Sequence, residues 1–486
     1  MAAVGPHDSL FELGGQSLQA VQIATRVSQQ FSVELTVSKL LEVPTIAQLA
    51  DHIAGNCGSA APARDAVDAV PPPDRSSDPL GAVLAERPHV QVEQRPLLHL
   101  VATGKVPRID AAAFDYIPLQ LMHFSGLDRE TFIEMWCNNL PVLQGIWEVP
   151  LGRIGYIVLP RLSADLYADK QDAVRVVVEA LELAASVSAK AVSLTGIIPS
   201  ATDYGRAVTA AIQDRSDLPV VTTGHGTTTA SVVLSIKGIL ERARRDPSQE
   251  RMAFVGLGSI GQATLRLMMR ALPHPRELLL CDIYSKRQDL ERLRDEVIQA
   301  GYGGRVAVAE SRAGLPDEVY GASFIFGATN VPNVLDIDRV ARGTLIVDDS
   351  APHCYDPRKA IARFERDRDI LFTEGGMLSS DHPVRDLSWM PSFATRRLSG
   401  EQLEPFLRRD SSEFWGCMFS SLLTAKFDDL EPTYGMVSPD VTSLHLDRLQ
   451  QLGIRAAKLH CDRYELPSGL VEEFVARHAH AQQALR

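Results

Sequence analysis

Cysteine is scarce and scattered: Cys57, Cys137, Cys281, Cys354, Cys417 and Cys461 are the only six in 486 residues. None forms a CxxC pair, so the spacing signals neither a zinc site nor a disulfide framework, and a reducing cytoplasm fits. Positive charge is also in deficit, with 49 Lys and Arg against 61 Asp and Glu and a net charge of −12. An acidic surface argues against binding nucleic acid or an anionic membrane. No uninterrupted apolar run is long enough to span a bilayer. The opening residues Met1 to Asp8 lack the basic start and apolar stretch of a signal peptide. The expectation is therefore a cytoplasmic protein with no nucleic-acid and no membrane partner. Composition is otherwise ordinary, 45% hydrophobic and 23% charged, and the length allows about two to four domains with ample core.

Mid-chain, an apolar strand at Met252 to Val255 leads into Gly256-Leu257-Gly258-Ser259-Ile260-Gly261 and then a helix over 262–271. This is a dinucleotide-binding turn in its proper context. Gly256 permits a tight turn, Gly258 lets backbone approach a pyrophosphate, and Gly261 allows close helix–strand contact. The helix start behind it, at Ser259 and Ile260, offers N–H groups and a positive dipole end. Asp282 closes the next strand, where a carboxylate accepts hydrogen bonds from a ribose 2′-hydroxyl and disfavours a 2′-phosphate. Lys286 and Arg287 follow and offset that repulsion, so the choice between NADH and NADPH stays open. A long helix reads over 287–300, and strands then read at 306–308, 324–326 and 345–347.

Upstream, strands at 153–159, 191–194 and 218–221 alternate with helices at 172–189 and 230–244, which is α/β architecture. Thr222 to Thr229 reads as a polar turn. Residues 411–426 and 441–459 read as helical. The fold class expected is α/β: a Rossmann-type doubly wound parallel sheet plus a second α/β substrate domain, preceded by a small, partial all-α carrier domain.

The carrier reading rests on Phe11-Glu12-Leu13-Gly14-Gly15-Gln16-Ser17-Leu18, followed by an amphipathic helix through Leu18, Val21, Ile23, Ala24 and Val27, then Val43-Pro44-Thr45-Ile46. A serine at a helix N-cap behind two glycines is an exposed, reachable hydroxyl. Over almost fifty residues this resembles the thiolation domains of nonribosomal peptide synthetases. The resemblance implies 4′-phosphopantetheine on Ser17, a phosphopantetheinyl transferase to attach it, and an adenylation enzyme or synthetase to load it. The first helix of such domains precedes the loop and is missing here, so this region is expected to be less ordered than the reductase. Residues 56–95, with Pro71-Pro72-Pro73, read as a linker. About forty disordered residues span roughly 35 Å r.m.s., enough to deliver an arm within one chain or across a homodimer.

Residues from about 100 to 435 resemble the aldehyde-forming fatty acyl-(acyl carrier protein) reductases. The motifs in common are Thr222-Thr223-Gly224 with its threonine run, the glycine turn, Glu374-Gly375-Gly376, and Phe414 to Phe427 around Cys417. The resemblance implies a cysteine acyl-enzyme on Cys417, reduction by NADPH, and release of an aldehyde from an acyl or aminoacyl thioester. The turn departs from that family's Gly-Ala-Thr-Gly spelling, which together with Asp282 puts NADPH preference in question. From residue type alone Cys417 also fits a buried structural thiol. Thr223, Gly224 and His225 are candidates for stabilising an oxyanion, and His382 rivals His225 for proton transfer. No metal site is expected. The domain reading is carrier 1–55, linker 56–95, substrate domain 96–245, Rossmann domain 246–400, and a helical segment 401–486 completing the catalytic domain. Rival readings are a short-chain-dehydrogenase type of thioester reductase through Tyr355 and Lys359, a dehydrogenase that modifies the tethered group, and a non-catalytic docking module. Pro357 between Tyr355 and Lys359 argues against the first.

Overall fold

A computed structural model describes residues 45–56, 79–93, 95–312, 314–407 and 410–478. Ser17 and its loop, and linker residues 57–78, lie outside the described residues. Of the carrier region the helix Ile46–Asn56 is described, and Thr45 caps it. The Thr45 hydroxyl accepts from the Gln48 N–H at 3.2 Å, while the Gln48 side chain accepts from the Thr45 N–H at 3.3 Å. This reciprocal pair satisfies two groups that a helix start leaves open.

The described residues fall into two compact units. One takes in 79–234 and 376–457, the other 45–56, 235–375 and 458–478. Both are discontinuous in sequence. Residues 401–457 group with 79–234, and 458–478 group with 235–375.

The first of these units begins inside the stretch read as linker. Helix Pro79–Ala85 is followed by β1 (Val90–Glu93). Next come β2 (Ala111–Tyr116), β3 (Val142–Val149), β4 (Gly152–Leu159), β5 (Ala191–Leu194) and β6 (Val220–Thr222). In the other unit lie β7 (Arg251–Val255), β8 (Glu277–Ile283), β9 (Arg305–Ser311), β10 (Phe324–Gly327), β11 (Thr344–Asp348) and β12 (Ile370–Glu374). Six short strands complete the order: β13 (Met377–Ser379), β14 (Arg385–Trp389), β15 (Glu413–Trp415), β16 (Arg455–Ala456), β17 (His460–Cys461) and β18 (Tyr464–Glu465).

Strands β1-β14-β3-β4-β2-β5-β6 form a seven-stranded sheet. Its half β4-β2-β5-β6 is parallel, and β3 pairs antiparallel with both β4 and β14. The edge strand β1 pairs parallel with β14, which orders chain just past the proline run. Leu97, Phe114, Ile157, Val177, Leu181, Val192 and Leu194 form its core, each 0% exposed.

The six strands of the other sheet run β12-β11-β10-β7-β8-β9, all parallel. That is the doubly wound Rossmann order, and its winding reverses between β10 and β7. Phe254, Phe324, Ile325, Phe326, Leu345, Ile346, Leu371 and Phe372 are fully buried. Such continuous apolar runs are what a parallel sheet covered on both faces requires.

Candidate active site

In the Rossmann unit the glycines divide by role. Gly256 follows β7 with φ +86°. A Cβ on it would sit 2.4 Å from the Ala328 carbonyl oxygen, and one on Gly261 would sit 2.1 Å from that of Gly256. Neither position admits a side chain. A Cβ on Gly258 meets nothing within 4 Å. The two outer glycines are therefore demanded by the fold itself, whereas the middle one keeps an approach open. Ser259 begins the helix Ser259–Ala271, whose N-terminus has no side-chain cap. The leading N–H groups, with Ile260 beside them in the first turn, remain available to an anion.

Asp282 is buried, and its Oδ2 accepts from the Leu257 N–H at 2.7 Å and from Lys286 Nζ at 3.0 Å. Its Oδ1 accepts from the Ile283 N–H at 2.8 Å. The carboxylate thus braces the glycine turn. Arg287 turns to Glu291 at 2.9 Å and Glu310 at 2.5 Å. Both bases that the sequence offers to a 2′-phosphate have carboxylate partners.

In the other unit, the helix read over 411–426 begins at Gly416, because β15 occupies 413–415 and pairs with β13. The Gly416 N–H donates to the Gly376 carbonyl at 2.9 Å. Cys417 consequently sits in the first turn of Gly416–Lys426, behind an N-cap, Trp415, that supplies no side-chain bond. Gly224, φ +73°, lies against it: a Cβ there would be 3.0 Å from the Cys417 carbonyl oxygen and 3.2 Å from its Cα. Helix His225–Arg242 starts immediately after Gly224, so the segment read as a polar turn is helical from His225 onward. Two helix N-termini meet at Cys417, and their dipoles favour negative charge that develops there. Among the described cysteines, Cys137, Cys281, Cys354 and Cys461 are buried and Cys417 is partly exposed.

The candidates around Cys417 differ in the bonds they make. Thr223 donates its N–H at 2.8 Å and its hydroxyl at 3.1 Å to the Thr433 carbonyl. It shapes the loop and has no N–H left for an oxyanion. His225 is buried, its Nδ1 has no hydrogen-bond partner, and its ring meets Tyr204 edge-on at 5.9 Å. Burial pulls its pKa down to about 4, so the imidazole is neutral at pH 7. His382 is exposed, its backbone N–H donating to Ser380 Oγ at 3.2 Å, next to Asp381, which pairs with Arg455. Tyr355 is fully buried ahead of helix Pro357–Asp367, and Lys359 lies 3.6 Å from Asp338. The Tyr355–Lys359 spacing thus does not make a pair on one helix.

Sequence reading passed over Asp115 and Tyr156. Asp115, near the end of β2, accepts from Tyr156 Oη at 3.2 Å and from the Tyr116 N–H at 2.9 Å. Burial outweighs these bonds and lifts its carboxyl pKa to about 6. The Tyr156 phenol is raised well above its usual value by burial, then by Asp115, with smaller contributions from Tyr116 and Cys417. The loop after β5 closes on the same group, since a Cβ on Gly196 would lie 2.9 Å from the Tyr116 ring. Asp115, Gly196 and Gly224 all stand at carboxyl ends of parallel strands, where α/β sheets place their ligands. That position is the signal that marks Asp115, provided the strand order is known.

Comparison with known proteins gives two kinds of likeness. Residues 2–53 match the family described as "Phosphopantetheine attachment site". In the same region the chain is 50% identical over 52 residues to tyrocidine synthase 3 of Brevibacillus parabrevis, covering 11% of this chain and 1% of that protein. It is 45% identical over 53 residues to a dimodular nonribosomal peptide synthase of Bacillus subtilis (strain 168), covering 11% and 2%. The chain therefore spans a very small part of the curated relatives it matches. Among solved structures, shikimate 5-dehydrogenase from Listeria monocytogenes in complex with shikimate and NAD is 12% identical, with 55% of this chain and 86% of that one covered and a TM-score of 0.28. L-tryptophan dehydrogenase from Nostoc punctiforme is 12% identical, with 78% and 89% covered and a TM-score of 0.30. No helix among the described residues is long and apolar enough to cross a membrane.

Proposed function

We propose that the protein reduces an acyl or aminoacyl thioester, carried on a phosphopantetheine arm at Ser17, to an aldehyde through a Cys417 acyl-enzyme. The observation that carries the reading is Cys417 itself: a partly exposed thiol in the first turn of an uncapped helix, with a second helix start against it. A glycine turn with an open middle position in the same chain supports a reduced nicotinamide cofactor, NADH or NADPH, held by Gly256, Gly258, Ser259, Ile260 and Gly261, with Asp282 at the ribose.

When bound, the pantetheine arm supplies the acyl group and the nicotinamide supplies one hydride. The Cys417 sulfur attacks the thioester carbonyl, a new carbon–sulfur bond forms, and the arm leaves as its thiol with the proton Cys417 gave up. After hydride reaches the acyl carbon, the oxyanion takes a proton and the hemithioacetal breaks at Cys417, returning the thiol and freeing an aldehyde. The N–H groups opening helix Gly416–Lys426 are suited to hold the oxyanion in both steps. Tyr156, hydrogen-bonded to Asp115, is placed to hold the proton, since a carboxyl titrating near 6 exchanges protons readily at neutral pH. Neutral His225 forms part of the wall beside Gly224.

The test is intact-protein mass spectrometry of the full chain, loaded at Ser17 with acyl-pantetheine by a phosphopantetheinyl transferase. Loaded wild type transfers the acyl group to Cys417 and releases aldehyde on addition of reduced cofactor. Cys417→Ala keeps the loaded arm and releases none. Unchanged turnover in that variant removes the covalent route, and a modified acyl group still on the arm identifies the dehydrogenase reading instead.

A further inference from the structure

A second cluster in the Rossmann unit belongs to neither step above. It gathers at the carboxyl ends of β11 and β12 and on the β17–β18 hairpin. An imidazole nitrogen of His353, a Glu374 carboxylate oxygen and Cys461 Sγ lie within 4.8 Å of one another. Asp462 Oδ1 lies 3.2 Å from His353 Nε2, and Glu374 Oε1 lies 3.4 Å from it. His460 Nε2 is 3.6 Å from Glu374 Oε2.

The orientation of the two imidazoles is the informative part. His353 Nδ1 is 3.1 Å from Asp348 Oδ2, a carboxylate buried behind it. His460 Nδ1 is 2.7 Å from the Lys458 carbonyl oxygen, which only accepts. Each ring is thus held by an oxygen on Nδ1 and turns Nε2 toward Glu374. An oxygen on the far nitrogen is the arrangement that fixes tautomer and direction in histidine ligands of metals. The same centre concentrates negative charge, with Asp348, Glu374 and Asp462 around it.

We propose that His353, Glu374 and Cys461 form a binding site for one divalent transition-metal ion, zinc by preference, with Asp348 as a positioning residue and His460 and Asp462 as alternate fourth ligands. Imidazole, thiolate and carboxylate together suit zinc better than calcium or magnesium, which take oxygen ligands. Zinc ligands at ~2.0–2.3 Å in a tetrahedron stand roughly 3.5 Å apart, so closure from the present spacing asks for shifts on the order of an ångström. Cys461 binds as thiolate and its proton passes to solvent. The consequence is mechanical: the ion ties the hairpin and helix Ser468–His478 to the ends of β11 and β12. Cysteine spacing alone hides such a site, because its ligands come from three separated segments.

The experiment uses the full chain, purified and dialysed first against micromolar zinc and then against metal-free buffer, with bound metal measured by plasma mass spectrometry. The expected result is about one zinc per chain, unchanged in Cys417→Ala and lowered at least about tenfold in Cys461→Ser and His353→Ala. Cobalt(II) replacement in the wild type gives a thiolate-to-cobalt charge-transfer band, a reading that does not depend on any variant folding. Wild type that retains no zinc and shows no such cobalt band overturns the proposal, as does zinc retained in full by folded Cys461→Ser and His353→Ala.

Discussion

The helix that starts at Ser259 and the helix that starts at Gly416 both lack a side-chain cap, and both follow closely on a strand. Their surroundings differ in kind. Around Ser259 the fold has removed side chains: two glycines are packed against backbone oxygens and a third faces open space. Around Gly416 it has added them: a thiol in the first turn, a neutral imidazole beside Gly224, and a tyrosine–carboxyl pair nearby. A bare helix end suits a phosphate group that brings its own charge and hydrogen-bond acceptors. A furnished one suits covalent chemistry, in which the protein must supply nucleophile and proton.

The largest effect should come from removing the Cys417 thiol, the nucleophile of the proposed route. Cys417→Ala is expected to lower aldehyde formation by about 10³-fold or more while leaving cofactor binding intact. Turnover measured beside cofactor titration by nicotinamide fluorescence reads both. Activity within tenfold of wild type would make the furnished end merely structural.

Next in size is the split among the glycines. Gly261→Ala and Gly256→Ala force a Cβ onto a carbonyl oxygen and should each cost about 1–3 kcal/mol of stability, with cofactor binding lost. Gly258→Ala meets nothing, so its melting temperature should stay near wild type while cofactor affinity falls, because only the approach to the helix start is narrowed. Equal thermal loss in all three would erase the distinction drawn between them. Gly224→Ala should resemble the packed pair. Its φ of +73° and the 3.0 Å approach to the Cys417 carbonyl predict a loss of about 1–2 kcal/mol together with a drop in kcat.

How much of this could be read from the chain follows the same division. The glycine turn is legible because all its determinants lie within six residues and Asp282 falls one strand later. The cysteine is legible as a candidate, but its place in a first turn is not: residues 411–426 look continuously helical until β15 pairs with β13. Asp115 and Tyr156 come from β2 and β4, whose adjacency is a fact of strand order that no local pattern encodes. Likewise 458–478 joins the Rossmann unit by packing, after a stretch that resembles one long helix but breaks at Leu452 and Gly453, where Gly453 adopts φ +70°.

A smaller effect, visible in pH dependence, tests the proton-handling half of the furnished end. Asp115 titrates near 6 in the folded chain, above the ordinary carboxyl value of 3.8. The folded state therefore holds this proton more tightly than the unfolded one. Stability that depends on neutral Asp115 is complete below about pH 4, declines as pH rises toward 6, and is absent above. The span corresponds to about 1–3 kcal/mol. Asp115→Asn should flatten that decline in melting temperature between pH 4 and 6, and should lower kcat with its acid limb displaced. An identical pH profile in the variant would leave Tyr156 without its partner in the scheme.

The smallest effect belongs to Lys286. Its ammonium is 3.0 Å from Asp282 Oδ2, with 36% of the side chain exposed, so solvent screens the pair and its worth is about 0–1 kcal/mol. Lys286→Ala should change the melting temperature little and the NADPH-to-NADH preference by less than about fivefold, because Asp282 keeps its bonds to the Leu257 and Ile283 N–H groups. A loss of NADPH affinity of about a hundredfold, with NADH untouched, would mean that Lys286 leaves Asp282 to hold a 2′-phosphate. The bare helix end would then also depend on a side chain for its charge.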